Sequence, residues 1–515
     1  MKDAAIANGS DLSLRSSGAS FARKIFSYPV VLGTLLLVGT FAGRYLNIYE
    51  SVSHSGSFSN IPFEGDTWWH LMVGGRILST SHWPITDTYS FTGHGAPFIA
   101  SEWLGSVLMA AASRVAGIEG LMGLLLLMSG VFVLLLYYYA YQRCGNAMPA
   151  FLACAALIPL VSYFFTLRPQ MLGYAFLVLT LIALEKFRHG REKALWLLPW
   201  LFIVWVNTHG NLIFGFFVIG MYWAVGLRAF QFKYVRGEQW TARQRRHLEL
   251  IFLLCLLASL INPYGSRLAA YPLEMVLFRS TNIRTNTEFL PLHLTGFEGM
   301  LFLFLIAVFL VYVATSRRAL SAQDVVLFLV ATFEALAHTR FILFFAPIFV
   351  ALLAQAINYW VPAPHRAQDR HWANAILILA AIALAAVFLP SKRTIQRAIA
   401  NNFPAAAVDY IAQHDVPGPM FNELSWGGYL TWSLSPEHQV FIDSRDIYDY
   451  AGVIQDYIRI VDGGPHTFYL LGKYNVRSCL ISPDTRLASS LAASPGWREI
   501  YRDRMSVIYV KAGKR

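Results

Sequence analysis

The sequence predicts an α-helical polytopic membrane protein of about eleven transmembrane helices, followed by a C-terminal soluble α/β domain. Three observations carry this reading. Hydrophobic residues make up 56% of the 515 and charged residues only 14%, against roughly 25% charged in a soluble domain. Apolar runs recur along the chain at the length, about 20 residues, that crosses a bilayer. From about Ser391 these runs give way to alternating short strand-like and helix-like stretches.

In chain order, residues 1–28 are a polar cytoplasmic leader carrying Arg15, Arg23 and Lys24. The apolar run after it lacks a small-residue cleavage site and reads as a retained signal-anchor. Residues 29–390 form the transmembrane region, with spans near 29–47, 118–141, 148–167, 170–187, 194–208, 211–228, 248–263, 297–314, 321–338, 341–358 and 374–390. A large first outer loop, 48–117, separates the first two. Counting Ser101–Gly117 as a span would send the basic loops 186–193 and 228–247 outside, against the rule that Lys and Arg stay in the cytoplasm. We therefore read that segment as an amphipathic helix on the outer surface. Every basic loop then faces inward, and the N-terminus lies inside and the C-terminus outside. Residues 391–515 form the outer domain, with helices in AAAVDYIAQH and DIYDYAGVIQDYIRIV. PMFNEL, HQVFID, VRSCLIS and WREIYRDRMSVIYVK read as its strands.

The net charge of +11 follows from those cytoplasmic loops, and no basic stripe with interleaved aromatics marks a nucleic-acid surface. Cys144, Cys154, Cys255 and Cys479 lack metal-ligand spacing.

The topology brings distant polar residues to one face. Arg168, His209, Arg284, Glu288, His338 and Arg340 all emerge outside, as does Asp66. Charge at a bilayer costs roughly 2.5–3.5 kcal/mol on insertion scales and marks function by default. Glu64 and Asp66 stand two apart at the start of a helical stretch, where both can approach one cation or one substrate hydroxyl, or cap the helix. Trp68 and Trp69 serve as interface anchors or as stacking faces for a sugar. His70 is a ligand or a solvated side chain, while Asp87 and Glu102 read as solvated carboxylates. Arg168 and Arg340 end apolar helices and present the planar fork that matches phosphate oxygens, or snorkel to headgroups.

The stretch EGDTWWH with GGRILSTSHWPITDTYSFTGHG resembles the first outer loop of oligosaccharyltransferases. NTEFLP (Asn286–Pro291) is similar to their Ser/Thr-x-x-Glu loop, and SWGGYLTWSLSPEHQVFIDSRD to their Trp-Trp-Asp-Tyr-Gly region. The chain thus resembles the GT-C superfamily of membrane glycosyltransferases, in a bacterial branch. That resemblance implies transfer of a sugar from a polyprenyl (mono)phosphate carrier to a glycan, lipid or protein acceptor of the cell envelope. Transfer occurs at the outer face of the inner membrane, with inversion. Asp66 is then the general base, with Glu64 and Glu288 beside it. Trp68, Trp69, His70 and His209 line the sugar pocket. Arg168, Arg284 and Arg340 face the phosphate, His338 is a further substrate-binding residue, and Trp426 and Tyr429, with Asp443 and Arg445, either bound the acceptor groove or serve the outer domain structurally. Whether Mg2+ or Mn2+ sits on Glu64 and Asp66 stays open. The pattern departs where Arg168 replaces an acidic pair and where Gly427 stands in place of the sequon-reading Asp, so Asn-x-Ser/Thr glycosylation is not implied. A sugar-lipid transporter or flippase, with charge at the midplane and repeated halves, is the alternative class, and a non-catalytic envelope-polysaccharide assembly subunit a third.

Overall fold

A helix stands over each of the eleven apolar runs: α1 Tyr28–Ser53, α3 Trp103–Cys144, α4 Ala147–Ser162, α5 Gln170–Arg188, α6 Leu197–Thr208, α7 Leu212–Val225, α8 Ala242–Ala258, α10 Phe297–Ser316, α11 Ala322–Ala337, α12 Ile342–Trp360 and α13 His371–Val387. Two more, α2 Gly65–Thr80 and α9 Ser266–Phe278, lie in connections. The structure, a computed structural model, describes residues 25–53, 62–278, 287–361, 370–387, 389–448 and 452–512. Among these, five segments are by themselves long and apolar enough to cross a membrane: Tyr28–Leu46, Trp103–Cys144, Gln170–Arg188, Phe297–Ser316 and Thr339–Trp360. A 16-residue helix such as α4 rises only about 24 Å against a hydrocarbon core of roughly 30 Å.

Helix α12 is the central pillar, apolar on every side and buried from Ile342 to Ala354, as a helix without a polar face must be. Helices α10 and α13 instead turn large apolar side chains outward, Phe304 and Leu379 among them. Helix α4 stops at Ser162, five residues short of the expected span. The chain then turns through Tyr163–Pro169, and Arg44 Nη2 on α1 donates to the freed carbonyls of Tyr163 (3.3 Å) and Phe165.

Helix α3 breaks at Ala116 and Gly117, and Gly117 takes φ +59°, a conformation that favours glycine. Its first part, from Trp103, is therefore a separate helix packed along α2.

The C-terminal region begins with α14 Lys392–Ala400, capped by the Ser391 side chain, and α15 Ala405–Gln413. Its sheet runs β4 (Met420–Asn422), β5 (Ser478–Ile481), β7 (Val507–Lys511), β6 (Trp497–Arg502), parallel between β4 and β5 and antiparallel beyond. Strands β1–β3 form a small separate sheet at Phe230–Phe232, Val235–Gly237 and Leu320–Ser321. Helix α16 Leu424–Leu434 follows β4 and lies against α2, and α17 Val453–Val461, α18 Thr467–Lys473 and α19 Arg486–Ala492 complete the domain. HQVFID is not a strand. It contributes one bridge, Ser90 with Val440, to the first outer loop. The physical reason is burial of charge. Arg445 and Asp443 are 3% and 1% exposed, joined at 2.8 Å, and Arg445 also reaches Asp87 in the first loop at 2.7 Å. The ring faces of Tyr89 and Phe98 lie 5.2 and 5.1 Å from the same guanidinium. Asp87, expected to be solvated, is thus 0% exposed.

Candidate active site

Glu64 is the N-cap of α2 and Asp66 lies in its first turn, where the helix dipole favours negative charge. Gly428 of α16 lets the two helices close, since a Cβ there would stand 2.1 Å from Gly65 O. That approach brings Ser444 to Asp66. Ser444 Oγ and Trp69 Nε1 (3.2 Å) both donate to Asp66 Oδ1, and Arg168 Nη2 pairs with Oδ2 at 3.1 Å. Arg168 Nη2 also meets Glu64, while its Nη1 meets Glu288 Oε1 at 2.9 Å. Glu288, on the turn Thr287–Phe289, then reaches Arg340 Nη1 at 3.0 Å, and Arg340 Nη2 donates to Gln170 Oε1 at 2.8 Å. The sequence-chosen Glu64, Asp66, Arg168, Glu288 and Arg340 therefore form one continuous ion-pair chain. Their side chains are 16–27% exposed, so the chain borders an opening.

A second branch runs through Glu102, the N-cap of α3. Its Oε2 lies 3.3 Å from His70 Nε2 and its Oε1 3.2 Å from His209 Nε2. His70 Nδ1 meets Ser106 Oγ at 2.8 Å, and the Asn211 N–H donates to His209 Nδ1 at 2.9 Å. The Trp69 ring lies 3.7 Å from that of His70 and links the two branches.

Burial pushes the Asp66 carboxyl up, but Arg168, then Ser444 and His70, outweigh it and hold Asp66 below the usual carboxylate range. Glu102 is likewise lowered, by His209 and His70 against burial. For Glu64 burial prevails over Arg168 and the carboxyl is raised. Burial lowers His209 despite Glu102, and Arg168 is held charged, burial being overcome by Asp66, Glu64 and Glu288.

Other assignments are corrected. Trp68 is 2% exposed, packed among Phe63, Phe403, Tyr429 and Trp432, and Tyr429 and Trp426 are 8% and 5% exposed. Trp68, Trp426 and Tyr429 are buried in the core that joins α2 to the C-terminal domain. The His70 side chain is 2% exposed and holds Glu102 in place. Asp443 and Arg445 form the buried ion pair described above. His338 Nδ1 meets Phe289 O at 2.9 Å and so fixes the turn that carries Glu288. Arg284 lies outside the described residues.

Sequence reasoning missed Gln170, Ser444 and Arg44, and read Glu102 as solvated. Arg44 alone carried a signal, as the lone charge in an apolar run. The proposed ion site does not fit a divalent cation. The Arg168 guanidinium already lies against both Glu64 and Asp66. Because His209 Nδ1 accepts a backbone N–H, its Nε2 carries the proton of the neutral ring and donates to Glu102. Among the described residues no group of three or more His, Cys, Asp or Glu is placed to hold a metal ion.

No protein-family model matches the chain, and no curated protein matches it. Solved structures do. The oligosaccharyltransferase of Archaeoglobus fulgidus, tethered with an acceptor peptide containing the NVT sequon, is similar over 93% of this chain and 74% of its own, at 13% identity and a TM-score of 0.50. The archaeal oligosaccharyltransferase AglB from the same organism, with an inhibitory peptide and a dolichol-phosphate, matches 92% of this chain and 74% of its own, at 12% identity and 0.50. ArnT from Cupriavidus metallidurans, bound to undecaprenyl phosphate, matches 92% of this chain and 97% of its own, at 12% identity and 0.53. At such identities the likeness is one of fold alone: the chain shares the fold of these two oligosaccharyltransferase structures and of ArnT.

Proposed function

We propose that this chain transfers a sugar from a polyprenyl-phosphate carrier to an acceptor hydroxyl, with inversion and with Asp66 as general base. The observation that supports this best is the unbroken series Asp66–Arg168–Glu288–Arg340, drawn from four separate segments of the chain. A carboxylate accepts about four hydrogen bonds. Ser444, Trp69 and Arg168 occupy three on Asp66, leaving one for an acceptor O–H.

In the proposed step the acceptor oxygen attacks the sugar C1 from the face opposite the phosphate. The O–C1 bond forms, the hydroxyl proton passes to Asp66, and the C1–O(phosphate) bond breaks with its electron pair on the carrier phosphate. Arg168 and Arg340 face that growing charge, the kind of electrostatic contribution that is usually largest. Trp69 and His209 border the sugar, and Glu288 keeps the two guanidiniums in register. The spans number eleven, the N-terminus is cytoplasmic, and both the site and the outer domain face the periplasm.

The test is transfer of labelled sugar from a polyprenyl phosphate in reconstituted membranes. Asp66→Asn lowers the rate by about a hundredfold or more, the low end for a lost general base. Near-wild-type turnover in that variant would remove Asp66 from the reaction.

A further inference from the structure

Arg168 and Arg340 commit all four of their Nη atoms to Glu64, Asp66, Glu288 and Gln170. Another guanidinium has donors left over. Arg44, on α1, is 1% exposed, and beyond its Nη2 contacts to the Tyr163 and Phe165 carbonyls, its Nε and Nη1 have no hydrogen-bond partner. Nearby, Arg168 Nε is also buried without one, while the Thr166 hydroxyl hydrogen-bonds to Glu64. A buried donor left unsatisfied costs about 1–3 kcal/mol, and more when charged. Three such donors, two on Arg44 and one on Arg168, find no acceptor in the folded chain.

Glu64 is the side chain common to this group. It ion-pairs with Arg168, and its charge also acts on Arg44. At 27% exposure it is the most accessible member of the ion-pair chain. We propose that Arg44 and Arg168 together seat the phosphate of the lipid carrier, and that the Glu64 carboxylate holds this place until the phosphate displaces it. This rests on the glycosyl-transfer reading above. The exchange replaces one anion by another, so the guanidiniums keep a counter-charge throughout. Phosphate brings more acceptor oxygens than a carboxylate and can reach the Nε and Nη1 donors that Glu64 leaves unmet. The raised Glu64 carboxyl agrees with a group that gives up its charge readily.

The experiment measures binding of farnesyl phosphate to the full-length protein in detergent, with farnesol as the phosphate-free control. Arg44→Met weakens farnesyl phosphate at least tenfold and leaves farnesol unchanged, while Arg44→Lys loses less. Glu64→Gln moves the opposite way and binds farnesyl phosphate several-fold more tightly. Equal losses for phosphate and alcohol in Arg44→Met would make Arg44 a purely structural clamp and overturn the proposal. Should Arg44→Met fail to fold, Glu64→Gln decides, because unchanged or weaker binding there overturns the placeholder role. Phosphatidylglycerol vesicles that compete as well as farnesyl phosphate would assign the seat to bulk phospholipid and overturn the carrier. Asp66→Asn separates the two readings. Retained transfer in that variant defeats the proposed reaction, whereas unchanged binding in Arg44→Met defeats only the seat.

Discussion

Replacing Arg168 by Met removes the one guanidinium that touches three carboxylates, Glu64, Asp66 and Glu288. Breaking a buried ion pair by deleting one partner costs about 3–5 kcal/mol. The Arg168 side chain is 16% exposed and its partners 21–27%, so we expect the lower figure, about 3 kcal/mol. A domain of 150–250 residues loses roughly 2–4 °C per kcal/mol, and for this longer chain we take half, a fall of roughly 3–6 °C. The pH dependence is the sharper readout. In the wild type the lowered Asp66 carboxyl contributes stability above its unfolded value, and this is lost as pH falls through the folded value. Without Arg168, Asp66 and Glu64 face each other uncompensated and rise above the usual carboxylate range. Protonation then relieves their repulsion, so the deficit of the variant shrinks between pH 7.5 and pH 5. Thermal melts in detergent at both pH values measure it. A deficit that stays constant or grows on acidification would refute the electrostatic account of the cluster.

Ser444→Ala removes a donor that holds Asp66 low, so the acid limb of the kcat/KM profile shifts to higher pH, and an unmoved limb would count against Asp66 as the titrating base. Arg445→Met leaves Asp87 and Asp443, both 0–1% exposed, without their cation. By about 3–5 kcal/mol it loosens the first outer loop from the outer domain, seen as faster proteolysis in residues 82–100. Cysteines placed at 209 and 339 label with impermeant reagent from the periplasmic side, and labelling only from the cytoplasm would reverse the topology.

Much of the fold was legible because the length of an apolar run, which marks a helix, is a local property of the sequence. The polar residues at span ends followed from the same rule, and Arg168, Glu288 and Arg340 do meet. The two adjacent indoles show where more was available. On a helix, residues three apart share a face while immediate neighbours diverge. Trp69 therefore reaches Asp66, and Trp68 turns toward Phe403 and Tyr429. The pairing of Glu102 with His209 was not legible, because nothing local to Glu102 announces a histidine from between α6 and α7. HQVFID has the β-branched and aromatic residues of a strand, yet it makes a single bridge, Ser90 with Val440, and its end is held by the Asp443–Arg445–Asp87 ion pairs. At Gly427 the absent side chain has a physical reason, since a Cβ there would stand 2.1 Å from Ile442 O.

Asp66 and its hydroxyl donor Ser444 are 378 positions apart in the chain. At a synthesis rate of roughly 5–20 residues per second, the ribosome needs on the order of 20–80 s to go from one to the other. During that interval the nascent polypeptide has a carboxylate already delivered but no Ser444 to orient it. The Asp66 cluster is thus completed only once the C-terminal region is made, and a prematurely terminated product lacks one of its donors.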